Sequence, residues 1–392
     1  MIKATLILTG CMFLSALFSF KAFAEEHPLK EPDIQSESAV LIDAASGQIL
    51  YSKDSDAVMY PASVTKMATA IYAIENGNME DIVTVSKNAR SVDGTRVYLE
   101  EGEQVPMKKL IQGLMINSGN DAGVAIAEHI SGDTETFSAD MTAFLKSKAG
   151  LRNTNFTNPH GLFDPEHVTT AEDLAKLTQY ASQNDIFREI FSTEELKWDG
   201  ETWDTTLHNH HKLLKVTPYE GMIGGKNGYV SQSGFTLSTL AERENISLIA
   251  IVLNAKTDRM SYKDTVKLMD FGFNHFTSEF ISEGTVFEDQ SGQKFTLNEP
   301  LYYAKKFNES ISTDVDLDGL LAVEGEGGRK IATHKLKPET ADAGNVMKQA
   351  VPEVQPSLGQ SMLHDHLKFI VIASFAVAFL LVGYFFRQVR RS

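Results

Sequence analysis

Cysteine is nearly absent. The chain has 392 residues and one cysteine, Cys11. A single cysteine excludes an internal disulfide framework and any cysteine-rich zinc module. Positive charge is the minority: 36 Lys and Arg against 52 Asp and Glu give a formal net charge of −16. That balance argues against a nucleic-acid partner. It names no other partner, because an acidic surface mainly reports solubility. Internal repeats are also lacking, which sets aside solenoid arrays. Hydrophobic residues make up 42% of the chain, enough for a sizeable core, and the length exceeds one ordinary domain.

Long apolar runs occur only at the two ends. Residues 1–24 read as a secretory leader: Lys3, an apolar stretch, then Ala22-Phe-Ala24 as a small-x-small cleavage site. Leu8-Thr-Gly-Cys11 resembles a lipoprotein box. The apolar stretch before it is short and more apolar residues follow, so cleavage after Ala24 is the preferred reading. The mature chain then has no cysteine, which suits export without oxidative folding. Phe369–Phe386 is an uncharged apolar run of 18 residues. As a helix it would span about 27 Å, close to a hydrocarbon core. Arg387, Arg390 and Arg391 follow it and predict a cytoplasmic C-terminus. The expected location is a bacterial cell membrane, with the bulk of the chain extracytoplasmic. Residues 339–366 are polar, carry Pro352 and Pro356, and read as a linker.

Between the ends, residues 35–280 alternate strand-like and helical stretches. Val40–Leu50 predicts a hairpin around Ala45-Ser-Gly47. Helices are predicted over Ser63–Glu75, stopping at Asn76-Gly77, and over Met107–Ile116, Asp121–Ile130 and Ser261–Phe276. Phe235–Leu240 and Ser247–Leu253 predict paired strands turned at Arg243-Glu-Asn245. The fold class is α/β (α+β), a sheet flanked by helices. Residues 281–338 hold short strand-like pieces and predict a small all-β domain that leans on a neighbour.

Ser63-Val-Thr-Lys66 carries the chemistry. Serine and lysine three apart share a helix face, and Ser63 sits at a helix start, where free amides collect. The lysine can take the serine proton, and the amides can hold an oxyanion. The pattern alone is weak, since Ser291-Gly-Gln-Lys294 matches it too. Downstream lie Ser118-Gly-Asn120, between two helices, and Lys226-Asn-Gly228, leading into a strand pair. The order Ser-x-x-Lys, Ser-x-Asn, Lys-x-Gly is a strong joint signal.

On these motifs the chain resembles the penicillin-recognising serine enzymes, most closely the low-molecular-weight D-alanyl-D-alanine carboxypeptidases of the peptidase S11 type. The resemblance covers roughly residues 35–280. Val40–Tyr51 is similar to the family's first hairpin, and Asn155-Phe-Thr-Asn-Pro-His-Gly-Leu162 with Thr170-Ala-Glu-Asp173 to its loop before a helix. It implies a serine β-lactamase/DD-peptidase-like catalytic domain. It implies Ser63 as nucleophile, Lys66 as neutral base and Ser118 as proton shuttle. Asn120 would bind a substrate carbonyl and orient Lys66, and Lys226 would attract the terminal carboxylate. Gly228 would permit close approach, and the amides of Ser63 and Tyr229 would form the oxyanion hole. Asn227 departs from the family, which usually has threonine there; an amide can still donate to a carboxylate.

The implied reaction removes the terminal D-alanine from peptidoglycan stem peptides through an acyl-enzyme, with β-lactams as inhibitors and the membrane as a partner. No cofactor is implied. His208, His210 and His211 fit neither a helical i, i+4 pair nor a clear zinc spacing, and the family has an asparagine-rich loop there, so no metal is expected. His160 and the Trp198–Trp203 pair read as packing residues. Two alternatives stand. A class A β-lactamase needs Glu-x-x-Leu-Asn, a pattern the chain lacks. A non-catalytic wall-binding or scaffold protein would explain a degenerate third motif.

Overall fold

The computed structural model describes residues 29–338. The predicted leader, the linker and the apolar run at 369–386 lie outside the described residues. Among the described residues no helix is long and apolar enough to cross a membrane.

Strands β1 (Ser38–Asp43) and β2 (Ile49–Lys53) form the first hairpin. A 3-10 turn, Ala62–Thr65, runs into helix α1 (Lys66–Asn76), which ends at Gly77. Next come β3 (Ile82–Thr84), α2 (Lys87–Ser91), β4 (Gln104–Pro106), α3 (Met107–Ile116), α4 (Asn120–Ser131) and α5 (Thr134–Lys148). Helices α6 (Ala171–Ser182) and α7 (Asp185–Phe191) precede the hairpin of β5 (Glu195–Asp199) and β6 (Asp204–His208). Strands β7 (Met222–Val230), β8 (Gly234–Arg243) and β9 (Ile246–Ala255) follow, then helix α8 (Asp258–His275).

The main sheet has the order β2-β1-β9-β8-β7, antiparallel throughout. Alternation along β9 shows why it is central. Ile249, Ile251 and Leu253 face one core, with α1, α3 and α4. Leu248, Ala250 and Val252 face another, against α8. A strand buried on both faces reads as a continuous apolar run, as Ile246–Ala255 does. The opposite edge of the sheet is β7, which carries the third motif.

After α8 the chain is β-rich. Strand β10 (Phe276–Ile281) pairs with β13 (Leu301–Lys306). Strand β12 (Lys294–Thr296) pairs with β11 (Val286–Glu288) on one side and β17 (Lys337–Pro338) on the other, and β14 (Ser312–Val315), β15 (Leu320–Glu324) and β16 (Lys330–Lys335) form a further sheet. Its cores are small: Phe295, Leu297, Val315, Leu321 and Leu336 make one. The β10–β13 pair adds Phe276 and Ala304 to the core under α8. Gln48 Oε1 accepts from the Ala304 amide at 3.0 Å, and Asp43 Oδ1 from Ser278 Oγ at 2.6 Å. The thin core is thereby fastened to the first hairpin. The second serine–lysine match, Ser291 to Lys294, lies in the β11–β12 turn, where Ser291 binds Asp289.

Candidate active site

Ser63 stands in the 3-10 turn before α1, one residue after Ala62, whose φ of 48° is left-handed. Such a conformation is costly without glycine and persists only when held. Three contacts hold it: Thr65 Oγ1 donates to Ala62 O at 2.8 Å, Thr236 Oγ1 donates to Pro61 O at 3.0 Å, and Gly161 packs on the Ala62 carbonyl. A Cβ on Gly161 would sit 1.9 Å from that oxygen.

Lys66 begins α1 and is fully buried. Its Nζ lies 2.9 Å from Ser63 Oγ and 2.6 Å from His160 O. Burial, then the nearby Lys226 charge, pushes its pKa well below the ordinary lysine value; buried Asp121 opposes this more weakly. A buried lysine amine 2.9 Å from a serine hydroxyl is placed to take that hydroxyl's proton. The imidazoles nearby are not rival bases. Burial holds His160 down to about 3 and His167 down to about 4. His160 meets Lys66 through its carbonyl, as a packing residue would.

Ser118 takes a left-handed φ of 61° in the turn between α3 and α4. Lys226 Nζ reaches its Oγ at 3.1 Å and also Asn227 O at 3.0 Å. Lys226 is buried on β7, and desolvation lowers its pKa to about 7. Gly228 passes so close to the Ser63 turn that a Cβ there would stand 2.6 Å from Ser63 N. The amide of Ser63 and the strand bearing Tyr229 therefore share one narrow space. Ser63, Ser118, Asn227, Gly228 and Tyr229 line a cleft of about 270 Å³, with His210 and Ser261 also on its wall.

Asn120 has a different attachment. Its Nδ2 donates to Asp93 O at 2.6 Å, and no bond joins it to Lys66 among the described residues. Around it the Ser-x-Asn turn anchors the loop over 93–99. Asn117 Nδ2 donates to Arg96 O, Asn120 N to Thr95 O, and the Asp121 carboxylate accepts from Val97 and Leu99 amides. Thr95 is thus set into the cleft wall. Sequence reasoning missed Thr95, Thr236, Asp258 and Ser261, and assigned His210 to structure. Only His210 had a signal, its place in the histidine cluster. His211 is buried, with Nε2 at 2.9 Å from Thr239 Oγ1. Among the described residues no cluster of His, Cys, Asp and Glu is arranged to hold a metal.

Residues 24–257 match the D-alanyl-D-alanine carboxypeptidase family, peptidase S11. The chain belongs to that family. Among S11 relatives, D-alanyl-D-alanine carboxypeptidase DacF of Bacillus subtilis is 30% identical over 355 residues, 85% of this chain and 89% of that protein. D-alanyl-D-alanine carboxypeptidase DacC of Escherichia coli is 32% identical over 302 residues, 72% of this chain and 74% of that protein. Among solved S11-like structures, penicillin-binding protein 5 of Haemophilus influenzae superposes with a TM-score of 0.70 at 27% identity. It covers 79% of this chain and 98% of its own. The mixed α/β fold of this family is the fold seen here, and the chain is a D-Ala-D-Ala carboxypeptidase rather than a class A β-lactamase.

Proposed function

We propose that Ser63 is the acylated nucleophile of this carboxypeptidase and that peptidoglycan stem peptides are its substrates. One observation carries the assignment: a fully buried lysine with Nζ 2.9 Å from the hydroxyl of Ser63. Ser63 Oγ attacks the carbonyl of the penultimate D-alanine, and its proton passes to Lys66 Nζ. The carbonyl oxygen becomes an oxyanion held by the amides of Ser63 and Tyr229. Collapse breaks the peptide bond. The proton reaches the leaving D-alanine nitrogen through Ser118, and an ester remains on Ser63. Water then attacks the ester carbonyl while Lys66 Nζ takes its proton; collapse breaks the bond to Ser63 Oγ, which takes that proton back from Lys66, and the shortened peptide leaves with a new carboxylate.

Lys226 draws the terminal carboxylate into the cleft and Asn227 donates to it. Asn120 secures the rim loop by donating one Nδ2 hydrogen to Asp93 O, and its second Nδ2 hydrogen is the donor for a substrate carbonyl. A β-lactam carries the same carbonyl and carboxylate, so it acylates the same serine. The enzyme works outside the cytoplasmic membrane, held by the predicted C-terminal span after leader removal.

The test is mass spectrometry after mixing with penicillin. The wild-type protein gains one covalent penicillin on the Ser63 peptide and releases D-alanine from a D-Ala-D-Ala peptide. Ser63→Ala stays folded and does neither. Covalent labelling retained in the folded variant would falsify the assignment.

A further inference from the structure

A groove of about 600 Å³, larger than the cleft, lies between α8 and the segment 212–219. Leu213, Pro218, Tyr219 and Tyr262 supply mostly apolar walls. The groove borders the catalytic cleft, because Asp258 lines both. Its charge opposes that of the molecule. In a chain of net charge −16, the groove carries Lys212, Arg259, Lys263 and Lys267. Two of these are engaged: Lys212 pairs with Asp258, and Lys267 lies 3.7 Å from Asp264 Oδ1. Asp258 is thereby neutralised, and Asp264 is already bound by Ser36. Arg259 and Lys263 are exposed, one turn apart on α8, and make no ion pair among the described residues.

We propose that this groove is an accessory site for the wall polymer. It takes an acidic stem peptide beyond the scissile D-Ala-D-Ala end, its carboxylate against Arg259 and Lys263 and its aliphatic part against Tyr219 and Tyr262. This rests on the carboxypeptidase reading, because the ligand is another part of the same substrate. A planar guanidinium and a lysine spaced one turn apart can share one carboxylate between them. The aromatic walls add contact area at small cost in side-chain freedom. The acidic body around the groove favours correct placement, since a carboxylate is attracted only where the cations cluster.

The experiment compares substrates on the full-length chain in neutral detergent. One is a short peptide ending in D-Ala-D-Ala with no other carboxylate. The second is soluble polymer bearing acidic stem peptides. The third is the same polymer with those carboxylates amidated. Arg259→Gln with Lys263→Gln raises KM about tenfold on the acidic polymer, the effect expected of two exposed charge pairs, and the loss shrinks with added salt. Penicillin acylation and release from the short peptide stay at wild-type rates, which also shows the variant is folded. Amidated polymer gives wild type and variant the same KM. Equal KM on the acidic polymer overturns the proposal. So does a difference that appears only when phosphatidylglycerol is added, which would make a lipid headgroup the occupant. No D-alanine release from the short peptide by the wild type would sink the carboxypeptidase reading instead.

Discussion

Two buried lysines set the character of the site, and each is costly to the fold. Burial brings Lys226 from 10.5 down to about 7. Between those values the unfolded chain binds a proton that the folded chain does not, so stability rises with pH across that window. Below about pH 7 both states are charged, and the full cost of an enclosed ammonium is present. Lys226→Met should therefore raise stability more at pH 6 than at pH 10, by an amount on the order of a few kcal/mol at the lower pH, seen as a larger rise in melting temperature there. Thermal melts at the two values check this; an equal gain at both would show that packing, not charge, is responsible. The same variant should bind D-Ala-D-Ala peptide poorly, since the carboxylate loses its cation. Stability and function are opposed at this residue.

Asn227 is where the chain leaves its family's usual pattern. It lines the cleft beside Gly228, and its carbonyl accepts from Lys226 at 3.0 Å. A side-chain amide there still donates to a carboxylate but fills more space than a hydroxyl. Asn227→Thr should raise the rate on a D-Ala-D-Ala peptide, and penicillin acylation should move in the same direction. One hydrogen bond to a charged group is worth about 1.5–3 kcal/mol, so a change of about tenfold is the expected scale. A lower rate would show the cleft has adapted to the asparagine.

At the level of elements, the edge strand β7 controls how tightly the site closes. Gly228 is required for a plain steric reason. A Cβ there would meet Ser63 N at 2.6 Å, Thr236 Oγ1 at 2.6 Å and Ala62 Cβ at 3.0 Å. Gly228→Ala should push the strand from the Ser63 turn, misplacing the amides of Ser63 and Tyr229 proposed to hold the oxyanion. Acylation should fall by about 10²-fold or more, with a stability loss of about 1–3 kcal/mol. Stopped-flow acylation and a denaturant titration separate the two effects; unchanged acylation would remove β7 from the oxyanion site.

Elements with one clear period were legible in the sequence. Helix α3 has the predicted bounds Met107–Ile116, and β8 and β9 form around the predicted polar turn. Strands β14 and β16 were not legible, because Asp314, Lys330, His334 and Lys335 interrupt them with polar side chains and their cores are only a few residues deep. The short turn before α1 was read as helix, since Pro61 and Ala62 give no sign of the left-handed φ that Thr236 and Gly161 impose from afar. The same distance hid the rim loop. Asp121 gathers the amides of Val97 and Leu99 across more than twenty residues, and no local pattern announces that. The order of three short motifs singles out Ser63, Lys66, Ser118 and Lys226 in the sequence, and the fold puts Lys66 against Ser63 and Lys226 against Ser118.

For the whole molecule, the described residues contain both cores, the cleft and the accessory groove. The main cores lie on either side of one sheet, and the β-rich part is tied to the first hairpin through Gln48 and Asp43. Membrane attachment, in the proposal above, depends on Phe369–Phe386 alone once the leader is cleaved. A chain ending at His366 should therefore leave the membrane fraction, keep the wild-type melting transition and be acylated by penicillin at the wild-type rate. Its activity on short peptides should be unchanged. Its activity on wall sacculi in cells should fall, because the enzyme is no longer concentrated at the membrane face. Fractionation, a melt and the labelling assay measure the first three. A truncated protein that remains in the membrane fraction would place the anchor at the other end, in a retained leader or a lipid on Cys11.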